Sequence, residues 1–111
     1  MRVDVRRRDD VVIVDLDGRL VAGVGDELLR EVLDELLGEG WSKILLNLEG
    51  VTLMDSSGIG EVVAGWKLAR KVGGQLKLLR PSDRVERTLR LTQILPLVEV
   101  FDDEERALAS F

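Results

Sequence analysis

The chain has 111 residues, enough for one compact domain, with 45% hydrophobic and 33% charged residues and a formal net charge of -5 at pH 7. It contains neither Cys nor His, which excludes disulfides, thiolate nucleophiles, a Ser-His-Asp triad and the commonest zinc ligands. The acidic balance argues against nonspecific nucleic-acid binding, which relies on phosphate neutralisation by Lys and Arg.

No apolar run approaches the length of a bilayer span, and the charged start Met1-Arg2-Val3-Asp4-Val5 lacks the apolar stretch of a signal peptide. A cytoplasmic protein without a membrane partner is expected. Val3 and Val5 alternate with Asp4 and Arg6, the period of a strand with one face in the core. The cluster Arg6-Arg7-Arg8 is followed at once by Asp9-Asp10 and reads as a solvated hairpin turn. Val11 to Leu16, rich in β-branched residues, form a second strand. Gly18, Gly23 and Gly25 loosen the connection after it. From Asp26 the period becomes helical, with Leu29, Val32, Leu33, Leu36 and Leu37 on one face, until Gly38 and Gly40 stop the helix.

Ile44 to Leu48 are apolar on nearly every residue and suit a central strand covered on both faces. After Asp55-Ser56-Ser57-Gly58-Ile59-Gly60, a second helix carries Ile59, Val62, Val63 and Trp66 along one stripe and ends at Gly73-Gly74. Leu76 and Leu78 alternate with Gln75 and Lys77 in a fourth strand. Pro81 and Ser82 open a third helix with Val85, Leu89 and Thr92 or Gln93 inward, which Pro96 breaks. Val98 and Val100 make a last short strand, and Asp102-Asp103 cap a terminal helix carrying Ala107, Leu108 and Phe111. The order β-β-α-β-α-β-α-β-α predicts an α/β fold, one domain over residues 1–111. Its sheet is mixed and four- to five-stranded, with parallel neighbours and right-handed crossovers. The polar alternate faces of the first and fourth strands place the helices mainly on one side.

The turn from Asp55 to Gly60 carries the candidate chemistry. A hydroxyl there sits beside unpaired backbone N–H groups at the positive end of a helix dipole, where a phosphate on Ser57 would meet them. Gly58 and Gly60 would let a partner approach the backbone closely. Physics alone leaves a second reading open, because Asp and Ser are favoured simply as helix caps. A phosphate-cradling loop is not indicated, since the closing Lys of that motif is missing.

The stretch from Leu46 to Gly60, Leu-Asn-Leu-Glu-Gly-Val-Thr-Leu-Met-Asp-Ser-Ser-Gly-Ile-Gly, closely resembles the signature of the anti-sigma factor antagonists. These are STAS domains in which a strand ending in Asp-Ser-Ser-Gly-Leu-Gly opens a helix. Asp17-Gly18-Arg19-Leu20, Lys71-Val72-Gly73-Gly74 and Arg80-Pro81-Ser82 agree, so the resemblance runs over roughly residues 10 to 100. It implies a STAS fold and a regulatory protein that binds an anti-sigma factor serine kinase. By the same resemblance Ser57, the second Ser of the motif, would be phosphorylated by that kinase, which would abolish binding until a phosphatase resets the switch. Asp55, Ser56, Gly58, Ile59, Gly60 and Glu61 are the partner-binding residues by the same resemblance, and Asp55 would add repulsion beside the phosphate. The chain departs from the family twice. Val21 and Ala22 stand where an Asp is usual, and Glu61 replaces an apolar residue. Glu61 reads either as a first-turn acid favoured by the helix dipole or as a specificity determinant.

The resemblance implies no enzyme, no catalytic residue, no metal and no cofactor. Hydrolytic use of Ser57 would need a base, and no acid or Lys sits at a recognisable spacing. The acid pairs Asp9-Asp10 and Asp102-Asp103 read as turn and cap residues. Trp66 reads as core and Trp41 as a packing anchor at the end of the sheet. The rival function is a STAS interaction module without phosphorylation, part of a lipid-transport or stress-signalling assembly. The retained Ser57 favours the switch, and the missing Asp favours the rival.

Overall fold

The computed structural model describes residues 1–95 and 97–111. Strands β1 (Arg2–Arg8) and β2 (Val11–Leu20) form an antiparallel hairpin whose turn is closed by Asp9 in the left-handed region, φ 56°. Helix α1 (Asp26–Gly38) crosses to β3 (Lys43–Met54), and α2 (Ser56–Lys71) crosses to β4 (Gln75–Leu79). Helix α3 (Asp83–Leu91), β5 (Val100–Phe101) and α4 (Glu104–Ala109) complete the order. The sheet runs β1-β2-β3-β4-β5, and every pair after the hairpin is parallel.

Side chains alternate across a strand, so each central strand feeds two cores. Val12, Val14 and Leu16 of β2, with Ile44, Leu46 and Leu48 of β3, pack under α1, α2 and α3. Val11, Ile13, Leu45 and Leu79 point the other way and meet Ala107 of α4, with Phe101, Leu108 and Phe111 around them. The expected mixed α/β sheet with helices mainly on one face is therefore present, and α4 is the element on the reverse side.

That reverse cover corrects the reading of β4. Lys77 was expected on a polar face, yet it is only 3% exposed. Its ammonium donates to the Ser110 carbonyl and to Ser110 Oγ, each at 2.8 Å, beneath the Phe111 ring at 4.8 Å. Burying the charge is tolerable because its donors are engaged and Glu99 lies 3.4 Å away.

The arginine cluster is likewise no solvated turn, since β1 extends through Arg8. Arg6 pairs with Asp15 and Glu104, and Arg8 with Glu104 and Glu105, tying the edge strand to α4. Val5 does not reach the core. The helix layer ends short of the edge strand and leaves Val5 50% exposed, with only Val3 partly buried.

Trp66 and Trp41 are half-buried at the rim of the helix-side core rather than inside it, with Arg70 stacked 4.9 Å from the Trp66 ring. Thr92 and Gln93 are exposed because α3 ends at Leu91. The break expected at Pro96 lies outside the described residues. Val98 is buried ahead of the last strand rather than part of it. Among the described residues, no helix is long and apolar enough to cross a membrane.

Candidate functional site

The site is built where β3 hands over to α2. Asp55 is the N-cap of α2, in extended backbone, and its Oδ1 accepts from the Gly58 N–H at 3.1 Å. Its second oxygen accepts from the Ala22 N–H at 3.0 Å, in the loop after β2. One carboxylate thus satisfies a helix-end donor and anchors a neighbouring loop. The Ala22 and Gly58 N–H groups hold the Asp55 carboxyl below the usual carboxylate range. The carboxylate expected to repel a partner is instead turned onto its own backbone.

Gly58 completes the joint. A Cβ at this position would lie 2.2 Å from the Leu20 carbonyl oxygen, so only glycine allows α2 to start against the end of β2. Gly58 is buried, and its missing side chain serves this internal contact. Ile59 is 6% exposed and belongs to the helix-side core. Neither residue lies open to a partner.

The remaining motif residues stay outside. Ser56 and Gly60 are exposed, and a Cβ on Gly60 would meet nothing within 4 Å. Ser57 is half-buried in the first turn of α2, where the helix-end N–H groups and the dipole favour a negative charge. Glu61 lies one turn further along and is gripped by Arg30 of α1, with Nη2 at 2.5 Å from Oε1 and Nε at 3.1 Å from Oε2. No local pattern in the sequence announces this pair. Arg30 reads there as one of several charges on the solvent face of α1, and its partner is 31 positions away.

The open patch is therefore Ser56, Ser57 and Gly60, edged by the Arg30–Glu61 pair. Asp55, Gly58 and Ile59 form the support beneath it. Val21 and Ala22 lie in the turn in which Val21 and Val24 exchange backbone hydrogen bonds at 2.9 Å. Among the described residues, no group of three or more acids converges as a metal site. Asp10 pairs with Lys43, and Asp103 caps α4.

A family model described as the STAS domain matches residues 2–107. The anti-sigma-B factor antagonist of Bacillus subtilis is 30% identical over 100 residues, covering 90% of either chain. The crystal structure of the Thermotoga maritima protein TM1081 superposes with a TM-score of 0.91 at 32% identity, covering 97% of this chain and 92% of that one. The anti-sigma factor antagonist SpoIIAA in its unphosphorylated form gives a TM-score of 0.84 at 25% identity, covering 98% and 95%. Its phosphorylated form shares the fold, with a TM-score of 0.76 at 24% identity and 98% coverage of both chains.

Proposed function

The chain belongs to the STAS domain family, among the anti-sigma factor antagonists, and from that premise we propose that it binds an anti-sigma factor with serine kinase activity and is released when Ser57 is phosphorylated. The kinase moves the γ-phosphoryl group of ATP onto Ser57 Oγ. The hydroxyl gives up its proton, and ADP leaves. The modified site then carries close to two additional negative charges on a surface that packs against the partner. Binding fails because that charge must be stripped of water without a matching cation.

The observation that carries this reading is the position of Ser57. It lies in the first turn of α2, half-buried, between the exposed Ser56 and the open backbone at Gly60. Asp55 and Gly58 hold that turn rigidly against β2, so a kinase meets a preformed turn. The chain itself is read as a substrate and binding module, since it contains no His or Cys to activate the hydroxyl.

A second reading, a STAS interaction module that is never phosphorylated, draws on Val21 and Ala22 standing where an acid is usual in the family. Incubation with the partner kinase and ATP, followed by mass spectrometry, separates the two. A single phosphate on Ser57 supports the switch. No phosphate overturns it in favour of the non-switching module, and a phosphate on Ser56 alone overturns the assignment to Ser57.

A further inference from the structure

Ser57 and Glu61 are four residues apart on α2, so they share one helix face with Cβ atoms about 5–6 Å apart. Helical side chains lean toward the N-terminus, which carries the Glu61 carboxylate over the turn that contains Ser57. That carboxylate is not free. Arg30 closes on it through three N···O contacts of 2.5 to 3.2 Å. The Arg30 side chain is 59% exposed while Glu61 beneath it is 12% exposed, so the guanidinium is the part that can move.

The packing of α1 on α2 fixes what else lies there. A Cβ on Gly65 would stand 2.5 Å from Leu33 Cδ1, so α1 and α2 are in close contact at Leu33 and Gly65. Arg30 and Glu61 meet one turn earlier. Both helices follow parallel strands and run in the same direction, so Asp26 and Ser57 each lie about one further turn toward the N-terminus of their own helix. Along this stretch of α1, from Asp26 through Arg30 to Leu33, Arg30 is the cation that reaches α2. Glu61 first, then Glu27 and Asp26, hold Arg30 above its ordinary pKa.

Building on the reading of Ser57 as the phosphorylated residue, we propose that Arg30 is a phosphate-responsive latch, closed on Glu61 while Ser57 carries a hydroxyl and drawn to the phosphate once Ser57 is modified. A phosphoserine beside Glu61 at this spacing is a like-charge pair, which is destabilising unless a cation intervenes. The phosphate carries about twice the charge of the carboxylate and accepts the guanidinium fork as well. The two acceptors are separated by about 6 Å of helix rise, within the swing of an arginine side chain. The transfer bares the Glu61 carboxylate at the edge of the docking patch. One modification thereby changes two charges on the partner-facing surface, and Glu61 is the second of them.

The latch is tested on full-length protein carrying phosphoserine installed at position 57 during translation, which requires no kinase. Phosphorus NMR follows the second ionisation of the phosphate with pH. Arg30→Gln is expected to raise that pKa by about half a unit, roughly a threefold change in the protonation equilibrium, and Glu61→Gln to lower it. The Arg30 Nε–H signal should shift when the phosphate is removed. Unchanged phosphate titration in Arg30→Gln, with thermal unfolding showing the variant folded, overturns the latch. If the titration behaves as expected but the kinase leaves Ser57 unmodified, the latch stands as a property of the chain and the proposed switch alone fails.

Discussion

A Cβ on Gly58 would stand 2.2 Å from the carbonyl oxygen of Leu20, closer than a side chain can approach a backbone atom. This contact seats α2 on the end of β2, and the same seating brings the Ala22 N–H to Asp55. Gly58→Ala must push the helix away from the sheet, and a loss of about 3 kcal/mol is expected from overpacking against backbone. Gly60→Ala, two positions on in the same helix, meets nothing within 4 Å and should stabilise by about 0.5–1 kcal/mol. Urea unfolding of both variants checks this. Equal effects at the two positions would show that α2 does not start against Leu20.

Asp55 makes a pH-dependent contribution to stability. Its folded pKa is depressed by the Ala22 and Gly58 N–H groups, so the native state favours the ionised form more than the unfolded chain does. The contribution is therefore present above the ordinary carboxylate pKa of about 3.9 and is lost as pH falls through the lower folded value. Asp10 and Glu104 are shifted in the same direction by Lys43 and by Arg6. The assignment thus rests on the difference between parent and Asp55→Asn. Unfolding midpoints for the two should converge as pH drops below 4 and separate at neutral pH. A constant gap across that range would remove Asp55 from the account.

Lys77 is predicted to hold α4 to the sheet through Ser110 and the Phe111 ring. Lys77→Ala removes the stem as well as the charge and leaves a void under α4, so a loss of about 2–3 kcal/mol is expected. Lys77→Met keeps the volume, and replacing a buried charge by a well-packed apolar chain is often neutral, so it should stay within about 1 kcal/mol of the parent. Hydrogen exchange across residues 104–109 should accelerate in the first variant and change little in the second. Matching exchange in both would assign the hold on α4 to the aromatic rings instead.

Much of this architecture was legible because it is written locally. Leu29, Leu33 and Leu36 repeat at helical spacing and are the buried residues of α1. The apolar run at Ile44 to Leu48 marked the strand that serves both cores. The unreadable features join distant segments. Lys77 looks like a solvent-facing alternate until α4 arrives, some thirty positions later, to cover it. Arg6 and Arg8 resemble a loose turn until Glu104 closes on them. At the site, the cap was one of two readings open for Asp55, and nothing local announced its second bond, which crosses 33 positions to Ala22. Periodicity reports which face of an element is buried and carries no information about which distant charge will meet it.

The binding consequence of the switch is the remaining expectation. Ser57→Ala should bind the anti-sigma factor nearly as tightly as the parent, because it removes one half-buried hydroxyl and leaves the Asp55 cap and the Gly58 contact in place. Ser57→Asp brings a carboxylate, with part of the charge and desolvation cost of a phosphate, into the same turn. A tenfold loss of affinity, about 1.4 kcal/mol, is expected. Ser56→Asp separates position from charge, since Ser56 is more exposed and its carboxylate can stay hydrated. It should weaken binding less than Ser57→Asp. Titration of the four proteins with the partner at two salt concentrations adds a second criterion, because a loss that is purely long-range repulsion shrinks as salt rises. Desolvation of a charge packed against the partner persists at high salt, and that persistence is expected for Ser57→Asp. If Ser57→Asp binds as tightly as the parent at both concentrations, a charge at this serine does not control docking.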